Sequence, residues 1–131
     1  MSGHRILIVD DNAINLKLAR LVLVSEGFEV RTATSAAEAL EAAHDCRPEL
    51  VLMDIQLPDM DGLEVTRRIK ACPELSGTLV IALTAYAMKG DDERARRAGC
   101  DGYITKPIDT RGLADTIRRH LAPGREKESA A

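Results

Sequence analysis

Four short apolar runs in this chain each stop on a residue with chemistry to offer. Ile6-Leu7-Ile8-Val9 stops at Asp10-Asp11, Leu50-Val51-Leu52-Met53 at Asp54, Leu79-Val80-Ile81-Ala82-Leu83 at Thr84, and Tyr103-Ile104-Thr105 at Lys106-Pro107. Runs of this length and β-branched character, bounded by polar breaks, read as strands of a parallel sheet buried on both faces. In an open α/β sheet, ligands bind beyond the carboxyl ends of the strands. The pattern therefore predicts three carboxylates, a hydroxyl and an ammonium at one edge of one sheet. That set suits a hard divalent cation and a phosphoryl group held side by side.

Helical patterns separate the runs, as in βαβ units. Ile14, Leu18, Leu21 and Val22 recur at helical spacing before Gly27. A weak strand follows at 29–33. Ser35 and Glu38 then make a capping-box pattern, with Ala36, Ala39, Leu40 and Ala43 on one face. The turn-rich stretch 58–62 precedes a helix carrying Val65 and Ile69. A charged helix opens after Gly90 and ends at Gly99, and a last one presents Leu113, Ile117 and Leu121. These repeats predict a flavodoxin-like (βα)5 fold: a doubly wound three-layer sandwich with a parallel sheet in the order 2-1-3-4-5. The switch point would lie between strands 1 and 3, which end in Asp10, Asp11 and Asp54.

The chain's 131 residues fit one domain, expected over 4–121, followed by a short polar and flexible tail over 122–131. A net charge of -3 argues against non-specific binding to nucleic acid or to an anionic membrane. The run 6–9 is too short for a signal sequence or a spanning helix. Cys46, Cys72 and Cys100 are odd in number and widely spaced, and they are expected to form no CxxC pair and no His/Cys ligand cluster. A reduced, cytoplasmic setting is the simple expectation.

Carboxylates packed together resist full ionisation, and a divalent cation removes the conflict. Oxygen ligands suit Mg2+, with Mn2+ able to substitute, and the absence of His or Cys at these strand ends argues against zinc there. A carboxylate can also act as a nucleophile and take a phosphoryl group, with catalysis supplied by positioning and charge neutralisation. Asp54, central among the acids, is the better nucleophile; Asp10 and Asp11 are the better metal ligands. Lys106 supplies positive charge, and Thr84 a hydrogen bond to a phosphoryl oxygen. Singly, each residue has an ordinary explanation: a helix cap, a turn, a hydroxyl bonded to its own backbone, a solvated Lys-Pro turn. Their conjunction at one end of one sheet favours the phosphoryl site.

These segments resemble the receiver domain of bacterial response regulators in two-component signalling: ILIVDDN at 6–12, LVLMDIQLPDMDG at 50–62, ALTAYA at 82–87 and GCDGYITKPI at 99–108. The resemblance spans about residues 4 to 121. It implies that Asp54 is the phospho-acceptor and that Asp11 binds the metal directly. Asp10 would act close by, in some cases through water, and the backbone carbonyl of Gln56 would be a further ligand. Lys106 would contact the phosphoryl group and join Pro107 through a cis peptide. Thr84 would be the switch hydroxyl and Tyr103 the aromatic that turns inward with it. Tyr86 and Gln56 occupy the positions that tune phosphoryl lifetime. A bulky Tyr86 shielding the acyl phosphate from water predicts a long-lived phosphoryl form; loss within seconds at neutral pH would contradict it.

The resemblance further implies a histidine kinase or a histidine phosphotransfer protein as donor. The output face would be helix 4, strand 5 and helix 5, where Arg94, Arg97, Arg118 and Arg119 lie, acting by population shift. No output domain follows Leu121, so a stand-alone receiver of the cell-cycle or phosphorelay type, monomeric or weakly dimeric, is expected. A phosphatase of the haloacid dehalogenase type needs an acid where Gln56 stands. A flavin module wants a phosphate-binding loop where Asp10 and Asp11 stand. The remaining alternatives are a phosphorylation-independent pseudo-receiver scaffold, which usually lacks a site residue, and a receiver excised from a hybrid kinase.

Overall fold

A computed structural model describes residues 4–84, 90–106 and 108–121. In chain order the elements are β1 (Arg5–Val9), α1 (Ala13–Ser25), β2 (Glu29–Ala33), α2 (Ala36–Cys46), β3 (Leu50–Asp54), α3 (Gly62–Ala71), a 3-10 turn (Pro73–Leu75), β4 (Leu79–Thr84), α4 (Asp91–Ala98), β5 (Gly102–Thr105) and α5 (Leu113–Leu121). The strands form one parallel sheet in the order β2-β1-β3-β4-β5, as the repeat pattern predicts.

Alternation along the strands sorts the core into two layers. Ile6, Ile8, Leu50, Leu52, Ile81 and Leu83 face α1 and α5, meeting Leu16, Leu23, Leu113 and Ile117. Leu7, Val9, Val51, Met53, Val80 and Ala82 face the other way, toward Ala39, Ala43, Val65, Ile69 and Ala95 of α2, α3 and α4. Every residue of β3 is buried, as expected of a central strand between two helical layers. Its carboxyl end thus lies at the middle of the sheet edge.

Helix α1 buries a different face from the one its spacing suggested. Leu16, Ala19 and Leu23 are buried, while Ile14 is 76% exposed and Leu18, Leu21 and Val24 are 48%, 55% and 46% exposed. Apolar residues occupy both sides of this helix, so periodicity alone leaves two candidate faces. The sheet takes the one carrying Leu16, leaving an apolar stripe on the outside that begins beside the Asn12 cap.

Helix α2 also differs in detail from a simple capping box. The Ser35 hydroxyl accepts from Glu38 N–H at 3.2 Å, but the Glu38 carboxylate turns to the Thr34 N–H and hydroxyl, at 2.7 and 2.9 Å. The Asp59 carboxylate, reaching from the β3–α3 loop, accepts from Ala36 N–H at 2.8 Å and Ala37 N–H at 3.1 Å. These bonds hold the Asp59 carboxyl below the usual range, the Ala36 bond most strongly. At the other end, Arg47 takes the left-handed C-cap conformation with φ 45°. Among the described residues no helix is long and apolar enough to cross a membrane.

Candidate functional site

Parallel pairing in register brings the ends of β1, β3 and β4 level, and the residues that end them share one edge. Asp10 continues β1 by donating its N–H to Ala33 O at 3.1 Å, which fixes its backbone before the chain turns away. Asn12 then caps α1, its side-chain oxygen accepting from Ile14 N–H at 2.9 Å and Asn15 N–H at 3.0 Å. This tight exit leaves Asp10 buried and Asp11 exposed. Asp54 closes β3 and is 3% exposed. One carboxylate oxygen from each of Asp10, Asp11 and Asp54 lies within 4.8 Å of the others.

Lys106 enters from the end of β5, its N–H donating to Thr84 O at 2.7 Å. Its ammonium lies 2.9 Å from Asp10 Oδ2 and 3.2 Å from Asp54 Oδ2. The other oxygen of each carboxylate is bonded as well: Asp10 Oδ1 accepts from Asn12 N–H at 2.9 Å, and Asp54 Oδ1 from Gln56 N–H at 3.0 Å. Burial works against the Lys106 charge, but bonds and charges from Asp10 and Asp54 outweigh it and raise its pKa. For Asp54 burial dominates. It pushes the carboxyl up, the nearby Asp10 charge adds to this, and Gln56 N–H and Lys106 offset only part.

A carboxyl whose pKa is raised on folding binds its proton more tightly in the native than in the unfolded state. Stability therefore falls as pH rises from the ordinary aspartate value through the raised one. Asp54→Asn removes that cost. The metal-free variant is expected to be about 1 kcal/mol more stable at neutral pH, a rise in Tm of about 3–4 °C. The gain should shrink as pH falls through the window where Asp54 protonates. Parallel melts at pH 7 and pH 4 without divalent cation check this; equal melting at pH 7 would contradict the raised pKa.

Of the other residues singled out in the sequence, Thr84 is buried at the end of β4, and Tyr103 is half-buried in β5 against the α2–α3–α4 core layer. Gln56 is exposed and pairs with Asp61 in an isolated antiparallel bridge, which folds the loop back on itself. Tyr86 and Pro107, and with them the cis peptide, lie outside the described residues. Arg118 leans from α5 toward Glu26 and Phe28. Its guanidinium lies 5.5 Å from the centre of the Phe28 ring and pairs with Glu26 and Asp115, at the seam between α5 and α1. Arg97 pairs with Glu93 on α4 at 3.7 Å.

Gly62, which the sequence pattern puts in the turn-rich stretch 58–62, begins α3 beside the site. A Cβ there would lie 2.0 Å from the backbone oxygen of Asp54 and 2.8 Å from Ile55 Cα. Its N–H donates to Ile55 O at 2.8 Å. The first turn of α3 is thus pressed directly against the backbone of Asp54. The Asp-Gly dipeptide was the available signal, and it reads equally well as an ordinary helix start.

The arrangement is two buried carboxylates, Asp54 and Asp10, bridged by the Lys106 ammonium, with the exposed Asp11 as a third acid beside them. The chain is similar to known proteins over most of its length. Residues 6–118 match the response regulator receiver domain family. The polar-differentiation response regulator DivK of Brucella anthropi is 47% identical over 116 residues, which cover 88% of this chain and 94% of that protein. A CheY-like response regulator receiver domain protein from Methanospirillum hungatei superposes with a TM-score of 0.87 at 37% identity, covering 97% of this chain and 99% of that one. The receiver domain of the sensor histidine kinase PA1611 from Pseudomonas aeruginosa, whose crystal structure has a magnesium ion coordinated in the active-site cleft, superposes with a TM-score of 0.81 at 35% identity, covering 90% and 97% of the two chains.

Proposed function

The chain belongs to the response regulator receiver domain family of two-component signalling, and on that premise we propose that Asp54 is its phospho-acceptor. The observation that carries this reading is the pairing of the Lys106 ammonium with Asp54 and Asp10 at the carboxyl edge of the sheet. The donor is a phosphohistidine of a histidine kinase or a phosphotransfer protein. An Asp54 carboxylate oxygen forms the new O–P bond as the donor's P–N bond breaks. The imidazole nitrogen keeps the electron pair and takes a proton.

The protein's own contribution is positional and electrostatic. Gln56 N–H holds Asp54 Oδ1, which fixes the carboxylate plane. Lys106 exchanges its hold on Asp54 for a phosphoryl oxygen, and the Thr84 hydroxyl donates to another. Asp11, Asp10, Asp54 and the Gln56 carbonyl fit a hard cation, because every donor is oxygen and the three carboxylates already converge. Magnesium, or manganese in its place, would supply charge neutralisation on the phosphoryl oxygens.

The product is a signalling state, and no turnover of a separate substrate is proposed. Supporting a helical donor is the outward stripe of Ile14, Leu18, Leu21 and Val24, which starts within one turn of the acid loop. The output is a phosphorylation-dependent contact of a monomer or weak dimer with a protein in the cytoplasm, through α4, β5 and α5, with Tyr103 and Thr84 relaying the change. Arg118, on α5, is tied to Glu26 and Phe28.

Intact mass after incubation with acetyl phosphate tests the assignment. A single phosphoryl adduct is expected with magnesium. No adduct is expected with EDTA, or in Asp54→Asn. Labelling that survives Asp54→Asn at the same rate would move the acceptor elsewhere.

A further inference from the structure

The chain's three cysteines and three histidines are scattered in sequence. Folding nevertheless gathers one of each with a carboxylate. His44 lies in the last turn of α2, Cys72 follows α3, and Glu74 lies in the 3-10 turn; one ligand atom from each comes within 4.8 Å of the other two. We propose that His44, Cys72 and Glu74 form a transition-metal site of the zinc class, separate from the acidic pocket.

The donor set argues for this class. Imidazole, thiolate and carboxylate together suit Zn2+ and its neighbours Co2+ and Ni2+, whereas magnesium takes oxygen donors. Zinc bonds of about 2.0–2.3 Å imply ligand atoms about 3.3–3.8 Å apart in a tetrahedron. Small rotations of the exposed His44 and Glu74 side chains close the difference. The donors are also uncommitted. Among the described residues the side chains of His44 and Cys72 have no hydrogen bond or ion pair, and Glu74 meets Arg47 only at 3.9 Å.

The backbone beneath the ligands is held. Cys72 N–H donates to Ile69 O at 3.2 Å, Leu75 N–H to Cys72 O at 2.9 Å, and the Ser76 hydroxyl to Pro73 O at 3.2 Å. Pro73, between the two ligands, has a fixed φ. Three protein ligands leave a fourth position for water, the pattern of an open site. Burial pushes the Cys46 and Cys100 thiols up, which makes them poorer thiolate donors.

Position separates this site from the acceptor. Helix α2 runs back across the sheet, so His44 lies near the start of β3, and the 3-10 turn leads into the start of β4. Both are at the amino edge, opposite Asp54. A metal here would tie the end of α2 to the α3–β4 connection and stabilise the fold by mass action.

Cobalt serves as the probe, titrated into the untagged, reduced full chain. Thiolate-to-cobalt charge-transfer bands in the near ultraviolet and visible d–d bands of a four-coordinate ion are expected, saturating at one equivalent and bleached by added zinc. Cys72→Ser and His44→Ala should each weaken cobalt binding by about 100-fold or more, beyond the 10–100-fold range of outer-shell changes. Glu74→Gln, at an exposed position, should weaken it by about 10-fold with an unchanged far-ultraviolet spectrum. Cys46→Ser and Asp54→Asn should leave the bands intact. If Cys72→Ser does not fold, His44→Ala and Glu74→Gln decide the matter. Absence of the bands, their survival in both of those variants, or their loss in Asp54→Asn would overturn the proposal.

Discussion

Gly62→Ala is expected to destabilise the protein by about 3 kcal/mol, a fall in Tm of about 10 °C. Helix propensity argues the other way, since alanine is favoured over glycine by about 1 kcal/mol in a helix interior. The clash decides the sign. The new methyl would sit 2.0 Å from the Asp54 carbonyl oxygen; that oxygen is backbone and the methyl is fixed directly to the backbone, so neither can turn aside. Either α3 or the end of β3 must retreat. The two are held together by Gly62 N–H to Ile55 O at 2.8 Å, so a shift costs that bond as well. Retreat of β3 also displaces the Asp54 carboxylate from Lys106, so the folded fraction should be labelled more slowly by acetyl phosphate. Thermal melts and labelling rates on the purified variant check both parts. A variant at least as stable as the parent would show that α3 has room the structure denies it.

The second large effect lies at Lys106. Asp10 is 1% exposed and Asp54 3% exposed, and the Lys106 ammonium is the cation between them. Lys106→Met keeps the stem and removes the charge, leaving two buried carboxylates facing each other. Removing one partner of a fully buried pair costs about 3–5 kcal/mol. The exposed Asp11 side lets water reach this pocket, so about 2 kcal/mol is expected at pH 7 without divalent cation. The sign of the pH dependence follows from protonation. The raised Lys106 pKa means that its contribution is fully present below the ordinary lysine value and is lost only as pH rises through the raised one, so at neutral pH it is whole. In the variant the carboxylates repel least when protonated, so the loss should diminish toward pH 4. Millimolar magnesium should recover much of it at pH 7, because the cation replaces the missing charge. Denaturant melts at both pH values, with and without magnesium, test this. A loss that ignores both pH and magnesium would mean that Lys106 acts through packing alone.

Which features were legible in the sequence follows from physical range. Strand ends are local: a run of four or five aliphatic residues followed by a polar one states its own boundary, so the sequence alone sets Asp10, Asp54 and Thr84 at one edge. Register then follows from the ends, because slipping a central strand would draw Asp10 or Asp54 into the apolar layers. The face of α1 was not legible. With apolar residues at Ile14, Leu16, Leu18, Ala19, Leu21, Val22 and Leu23, the helix offers two stripes, and only packing against Ile6 and Ile8 selects the one carrying Leu16 and Leu23. Long-range polar contacts were equally silent. Nothing in the spacing says that the Asp59 carboxylate reaches Ala36, that Arg118 leans on Phe28, or that His44 and Cys72 meet across two elements. Gly62 is an intermediate case: the glycine was visible, and its reason, the backbone of Asp54 two ångströms away from any side chain it might carry, was not.

The Asp59 carboxylate holds the first two amides of α2 from within the loop that follows Asp54. Those amides are therefore reporters on a segment to which they do not belong. Any excursion that swings residues 55–61 outward must release the Ala36 and Ala37 protons to solvent, whether or not the rest of α2 loosens. Their hydrogen-exchange rates count the openings of the loop after Asp54 from the far side of a helix–loop contact, and an experimenter following them sees the pocket breathe without placing a probe in it.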